Sequence, residues 1–97
     1  MNEGKLRQNP LLAWREIEGE VVIISPEDSF LHELNATASF IWKQLDGERT
    51  APEIAELVAT EYDVTPRVAS ADTEELVSQL EAKGLLLRSP ASRAENP

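Results

Sequence analysis

The sequence predicts an α+β fold, a three-stranded antiparallel sheet followed by three helices in a winged helix-turn-helix-like arrangement. Two observations predict it. Before residue 35, apolar and β-branched runs are broken by turn residues, Glu18-Gly19 and then Ser25-Pro26-Glu27-Asp28. After residue 35, apolar residues recur at helical spacing, and each such segment opens on a capping signal. Strands first and helices after, with no internal repeat, suits one small sheet packed on a helical layer.

The elements follow in chain order. Residues 1–10, MNEGKLRQNP, are polar and aperiodic, close on Pro10, and read as a flexible N-terminal arm. The folded domain is expected over residues 11–88, with 89–97 a disordered tail. Residues 11–17 suit a short strand that buries Trp14, and Glu18-Gly19 is a two-residue turn in which Gly takes positive φ. The run VVII at 21–24 is β-branched throughout, as a middle strand covered on both faces requires. Residues 29–34 form the third strand, with Phe30, His32 and Leu34 on one face and Ser29, Leu31 and Glu33 on the other.

Asn35 is placed to cap the first helix, which lines up Ala38, Ile41, Trp42 and Leu45 and ends at Asp46-Gly47. Thr50-Ala51-Pro52-Glu53 has capping-box spacing and opens a second helix lined by Ile54, Leu57, Val58 and Tyr62. Thr65-Pro66 opens the third, which runs to about residue 83 with Ala69, Thr73, Leu76 and Leu80 on one face. Gly84 closes it, and residues 85–87 return to the core.

Composition narrows the function. The chain has 97 residues, which suits one modest core, and no cysteine, so disulfides and thiolate metal sites are excluded. No apolar run approaches the about 20 residues of a membrane span, and the first ten residues hold no secretory apolar core. A soluble cytoplasmic protein without membrane contact is expected. The four glycines are isolated, with no phosphate-binding loop, and the single histidine, His32, lies in a predicted strand rather than beside a nucleophile. No catalytic residue, metal ligand or cofactor is assigned, and the expectation is a protein that is not an enzyme.

Three short helices with a β-wing invite a nucleic-acid reading, and charge opposes it. The net charge is −9. The third helix, over residues 66–83, carries Arg67 and Lys83 against Asp72, Glu74, Glu75 and Glu81, and the second has three Glu and no base. A recognition helix needs cations toward phosphate. Protein binding remains. The third strand is an outer strand with neither Pro nor Lys, two devices that commonly blunt a free edge. Such an edge accepts an extended peptide, or it is covered by the tail, a helix or a second copy of the chain.

Residues 14–86 also carry a family pattern: VVIISPED and SFLHELN leading into ATASFIWKQLDGERT, then IAELVATEYDV, then Asp72 ahead of LVSQLEAKGLL. This pattern resembles the PqqD family, named after coenzyme PQQ synthesis protein D, and the wider group of RiPP recognition elements. Thr73 departs from it, since an aliphatic residue often follows that aspartate.

The resemblance implies a winged-helix-like peptide chaperone that binds no DNA. It would hold the leader of a ribosomally made precursor peptide and present it to a modifying enzyme, a radical SAM protein in the PQQ pathway. The leader would add as a strand to the third strand, in a groove shared with the third helix, and the domain would carry no cofactor. The groove so implied comprises Phe30, Leu31, His32, Glu33 and Leu34, with Val68, Asp72 and Leu76 as its helical wall. Either Leu31 and Glu33 or Phe30 and His32 would face the peptide. Phe40, off the core stripe of the first helix, is a candidate contact for a partner. Two readings stay open: the peptide-recognition element, as a monomer or weak homodimer, and a non-catalytic module that self-associates through its free sheet edge.

The acidic third helix carries the first prediction. Fluorescence anisotropy with a random-sequence DNA duplex at physiological salt should show no binding. Micromolar, salt-sensitive association would overturn the exclusion.

Overall fold

The β-branched run of residues 21–24 sits at the centre of a sheet, as its composition demands, but a second sheet accompanies it. The computed structural model describes residues 4–25 and 31–89. Along these the chain forms β1 (Lys5–Gln8), β2 (Ala13–Ile17), β3 (Glu20–Ile24), β4 (Leu31–Glu33), α1 (Ala36–Lys43), β5 (Asp46–Thr50), α2 (Ala51–Tyr62), α3 (Pro66–Ala82) and β6 (Leu86–Arg88). One antiparallel sheet has the order β2-β3-β4 and the other β5-β1-β6. The fold is therefore α+β with three helices and antiparallel sheets. Strands before, between and after the helices replace the expected order of three strands then three helices.

The β2–β3 hairpin follows local chemistry. Glu18 and Gly19 both take positive φ, 54° and 85°, the backbone of a two-residue turn whose twist matches the flanking strands. It fixes the register that pairs Ile17 with Glu20 and Trp14 with Ile23. Val21 and Ile23 then point inward and are fully buried, while Ile24 on the opposite face is exposed.

Helix starts also match local signals. The Asn35 side chain accepts from the Ala38 amide at 2.8 Å. Thr50 and Glu53 complete a reciprocal capping box, and Thr65 caps α3 ahead of Pro66. The core-facing residues Ala38, Ile41, Trp42, Leu45, Ile54, Val58, Ala69 and Leu80 are buried as their spacing predicts. None of the described helices is long and apolar enough to cross a membrane.

Two expectations are corrected. Residues 5–8 are no flexible arm: β1 is the middle strand of the second sheet, and Leu6 is fully buried. A single apolar residue in a polar decapeptide leaves no periodic signal, and the strand exists because β5 and β6, far along the chain, pair with its two edges. A Cβ at Gly4 would overlap the Ser89 carbonyl, so glycine allows the two chain ends to approach. Nor does the first helix reach Asp46-Gly47. It stops at Lys43 with Gln44 as its cap, and Asp46 and Gly47 open β5. Gly47 keeps the expected positive φ, at 86°, within β5 rather than at a helix end. DGERT has little strand preference of its own, and β1 beside it supplies the hydrogen bonds.

The second sheet also returns the chain from α3 to the core. Leu85 and Leu86 are buried, and the Asn9 amide donates to the Leu85 carbonyl at 3.0 Å. Arg88 donates to both carboxylate oxygens of Glu81, at 3.0 and 3.3 Å, tying β6 to α3. These hydrogen bonds hold the Glu81 carboxyl below the usual carboxylate range. Ser89 still pairs with Lys5. The expected disordered tail beyond it lies outside the described residues.

Leu6→Ala separates a buried strand from a loose arm. The variant should lose about 2–5 kcal/mol of unfolding free energy, as a buried leucine does. An unfolding free energy from urea denaturation within about 0.5 kcal/mol of the wild type would mean that residue 6 contributes nothing to the core.

Candidate functional site

The junction between β4 and α1 is built around a hydroxyl. Ser39, on the first full turn of α1, is 1% exposed. Its Oγ accepts from the Val21 amide at 2.7 Å and donates to the Leu34 carbonyl at 3.1 Å. The Leu34 amide in turn donates to the Val21 carbonyl at 2.9 Å. One buried side chain thus satisfies backbone groups on β3 and at the end of β4, leaving no need for a connecting loop.

That arrangement leaves β4 paired on one side only. Its three residues pair with β3 through Val22↔Glu33, Ile23↔His32 and Ile24↔Leu31. No strand lies on its other edge among the described residues. His32 shares the inner face with buried Ile23, whereas Leu31, 62% exposed, shares the outer face with Ile24.

A cleft of about 390 Å³ runs along the free edge, between residues 31–35 and the C-terminal half of α3. Leu34, Leu80 and Leu85 are its buried apolar lining, and Leu76, Gln79 and Lys83 complete the wall. A second cleft, about 290 Å³, continues between the start of α1 and the middle of α3. Thr37 and Ile41 line it from α1, Asp72 and Glu75 from α3. Both clefts share Asn35, Ala38, Leu76 and Gln79, so they form one groove. Its charge is uneven, with Asp72 and Glu75 from α3 in the α1-side cleft, and Lys83 at the end of α3 together with Glu33 of β4 in the other.

The structure brings most of the expected residues together here. Leu31, His32, Glu33 and Leu34 line the first cleft, Asp72 the second and Leu76 both. Val68, 44% exposed, lines neither. Phe30 lies outside the described residues. Sequence reasoning missed Gln79 and Lys83. Extending the line from Asp72 and Leu76 in the C-terminal direction, rather than back to Val68, finds both. Phe40 packs edge-to-face on Tyr62, ring centroids 5.7 Å apart, and is half-buried between α1 and α2. Thr73 is fully buried behind Asp72, and its hydroxyl finds no hydrogen-bond partner among the described residues.

The family follows from comparison with known proteins. The model of coenzyme PQQ synthesis protein D (PqqD) matches residues 20–86. The chain belongs to the PqqD family. Among curated relatives, the bifunctional coenzyme PQQ synthesis protein C/D of Methylorubrum extorquens is 30% identical over 84 residues, which cover 87% of this chain. The chain spans only 22% of that relative's length.

Solved structures agree on the architecture. TbiB1 in complex with the TbiA(beta) leader peptide superposes with a TM-score of 0.75 at 25% identity, covering 82% of this chain and 93% of that one. The PqqD truncation of Methylobacterium extorquens PqqCD, described as a stand-alone RiPP recognition element, gives 0.70 at 27% identity, covering 86% and 88% respectively. Both structures thus share this fold.

The Ser39 bridge gives a prediction for the PqqD-type junction. Ser39→Ala leaves the Val21 amide without its partner in a buried position and should cost about 1–3 kcal/mol. Hydrogen exchange should quicken first at residues 21 and 31–34. Unchanged stability and exchange would remove the hydroxyl from its structural role.

Proposed function

We propose that this chain is a peptide-recognition element. It takes the leader of a ribosomally made precursor peptide as an added strand on the free edge of β4, and presents it to a modifying enzyme such as a radical SAM protein. The single observation that carries this reading is the unpaired β4 edge opening onto a groove with an apolar lining and α3 as its opposite wall. The leader-bound TbiB1 structure, at similar fold and 25% identity, supports it.

The energetics require both parts of that geometry. Each main-chain hydrogen bond to the edge contributes only about 0.5–1.5 kcal/mol net. Apolar side chains of the leader, packed against Leu34, Leu76 and Leu80, add about 1.5–3 kcal/mol each when fully buried. Backbone pairing sets register and the groove supplies affinity. Phe30, Leu31, His32, Glu33 and Leu34 form the strand side of the site, Asp72 and Leu76 its helical side, and Val68 an extension toward the start of α3. The chemistry belongs to the partner enzyme, and the domain acts in the cytoplasm without a cofactor. The same edge can pair with a second copy, in which case a bound leader displaces the copy.

Amide chemical shifts recorded while titrating synthetic leader peptides of ribosomally made precursors test the site. Shifts should concentrate at residues 31–35 and 72–83, and Leu76→Asp should abolish them while the fold persists. Perturbations confined to α2 and β6 would sink the strand-addition model. Turnover of the precursor by the purified domain alone would refute its non-catalytic role.

A further inference from the structure

We propose that the groove between β4 and α3 selects its peptide by charge as well as by apolar contact. The peptide it prefers carries a cationic side chain opposite Asp72 and Glu75, an anionic one opposite Lys83, and an apolar residue midway. The two charges lie about four positions apart. This inference rests on the strand-addition reading and specifies the class of peptide that it takes.

The lining of α3 changes character along its length. Asp72 and Glu75 lie at the end beside the start of α1, Leu76 and Leu80 in the middle, and Lys83 at the far end. Asp72, Glu75 and Lys83 have no ion-pair partners among the described residues. Glu81 of the same helix lines neither cleft and is paired with Arg88. The helix thus presents unneutralised charge of opposite sign at the two ends of one groove. On the strand wall, Asn35, just past β4, lines the acidic cleft, whereas Leu31 to Leu34 line only the cleft that holds Lys83. Glu33 is the acid of that cleft, and it shares the outer face of β4 with Leu31, so Lys83 is the charge that α3 itself presents there.

Geometry then sets the spacing. From Glu75 to Lys83 the helix rises about 12 Å, at about 1.5 Å per residue. An extended chain covers that in about four residues, at about 3.3 Å each. Four is an even number, so both charged side chains and the residue between them point to one face of the added strand. That face is the one toward α3, and the midway residue meets Leu76 and Leu80. An odd spacing would send one charge to the opposite face. With partly exposed charges, each pair changes Kd by up to about fivefold.

Selection from a displayed library of random twelve-residue peptides tests this whatever the sequence of the natural leader. The wild type should enrich Lys or Arg four positions from Asp or Glu, with Leu, Ile, Val or Phe midway. A synthetic enriched peptide should bind roughly tenfold more tightly than its charge-reversed counterpart. Selection on the double variant Asp72→Lys/Glu75→Lys should invert the sign at the first position alone, and Lys83→Glu at the second alone. An apolar motif with no charge enrichment, and equal affinity for the charge-reversed peptide, overturns the charge proposal and leaves strand addition standing. No enriched motif on the wild type, or enrichment undiminished by Leu76→Asp, overturns strand addition and with it the charge reading. The comparison of the two synthetic peptides uses the wild type only and does not depend on any variant folding.

Discussion

The groove exists because a strand can run straight into a helix, and the Ser39 hydroxyl is what permits it. A chain that leaves a sheet and starts a helix within two residues strands backbone polar groups where water cannot reach them. Here one hydroxyl accepts from Val21 and donates to Leu34, on two neighbouring strands. The same turn of chain is capped by Asn35. With no loop between β4 and α1, the outer edge of β4 has no strand against it among the described residues, and the start of α1 lines the adjoining cleft.

The opposite wall needs equal constraint, because a groove with one mobile side cannot select. The second sheet provides it at a distance from the site. Leu6 on β1 and Leu86 on β6 are fully buried or nearly so, and Leu85, which also lines the groove, is held by the Asn9 amide. The C-terminal end of α3 is therefore tied to the first residues of the chain. α3 also packs against α2 along much of its length. The helical wall is positioned by contacts made behind it, which leaves Asp72, Glu75, Leu76 and Gln79 free to face outward.

Such a site is suited to recognition more than to chemistry. Its lining combines aliphatic residues with a few charges unpaired among the described residues, and a backbone edge of this kind can pair with an extended chain irrespective of side chains. Affinity from backbone pairing is modest and general, so discrimination falls to side chains on one face of the bound strand. The net charge of −9 adds a long-range preference for cationic segments, which acts on association more than on residence.

The sequence by itself determined the helix starts and the tight hairpin, where side chains and positive φ act within three residues. It did not determine the end of α1, where β1 draws Asp46 and Gly47 into a strand. Asn35, Thr50 and Thr65 open their helices where their side chains can reach amides two or three residues on, and Glu18-Gly19 closes the hairpin through positive φ. Most of each helix's buried stripe was legible from its period, although Tyr62 is exposed, and Val77 and Ala55 are buried outside the expected stripe. Composition marked the third strand as an outer strand without settling what meets its edge. Tertiary structure alone decided β1, β5 and β6. Their residues carry weak strand signals, and they are strands because each supplies hydrogen bonds to another distant in sequence. Pairing of that kind has no local signature. The site divided the same way: Leu31 to Leu34, Asp72 and Leu76 were placed from the chain and its resemblance. Gln79 and Lys83 gained their place once α3 lay along β4, and Ser39 once α1 lay against β3, since their roles depend on which elements the fold brings alongside each other.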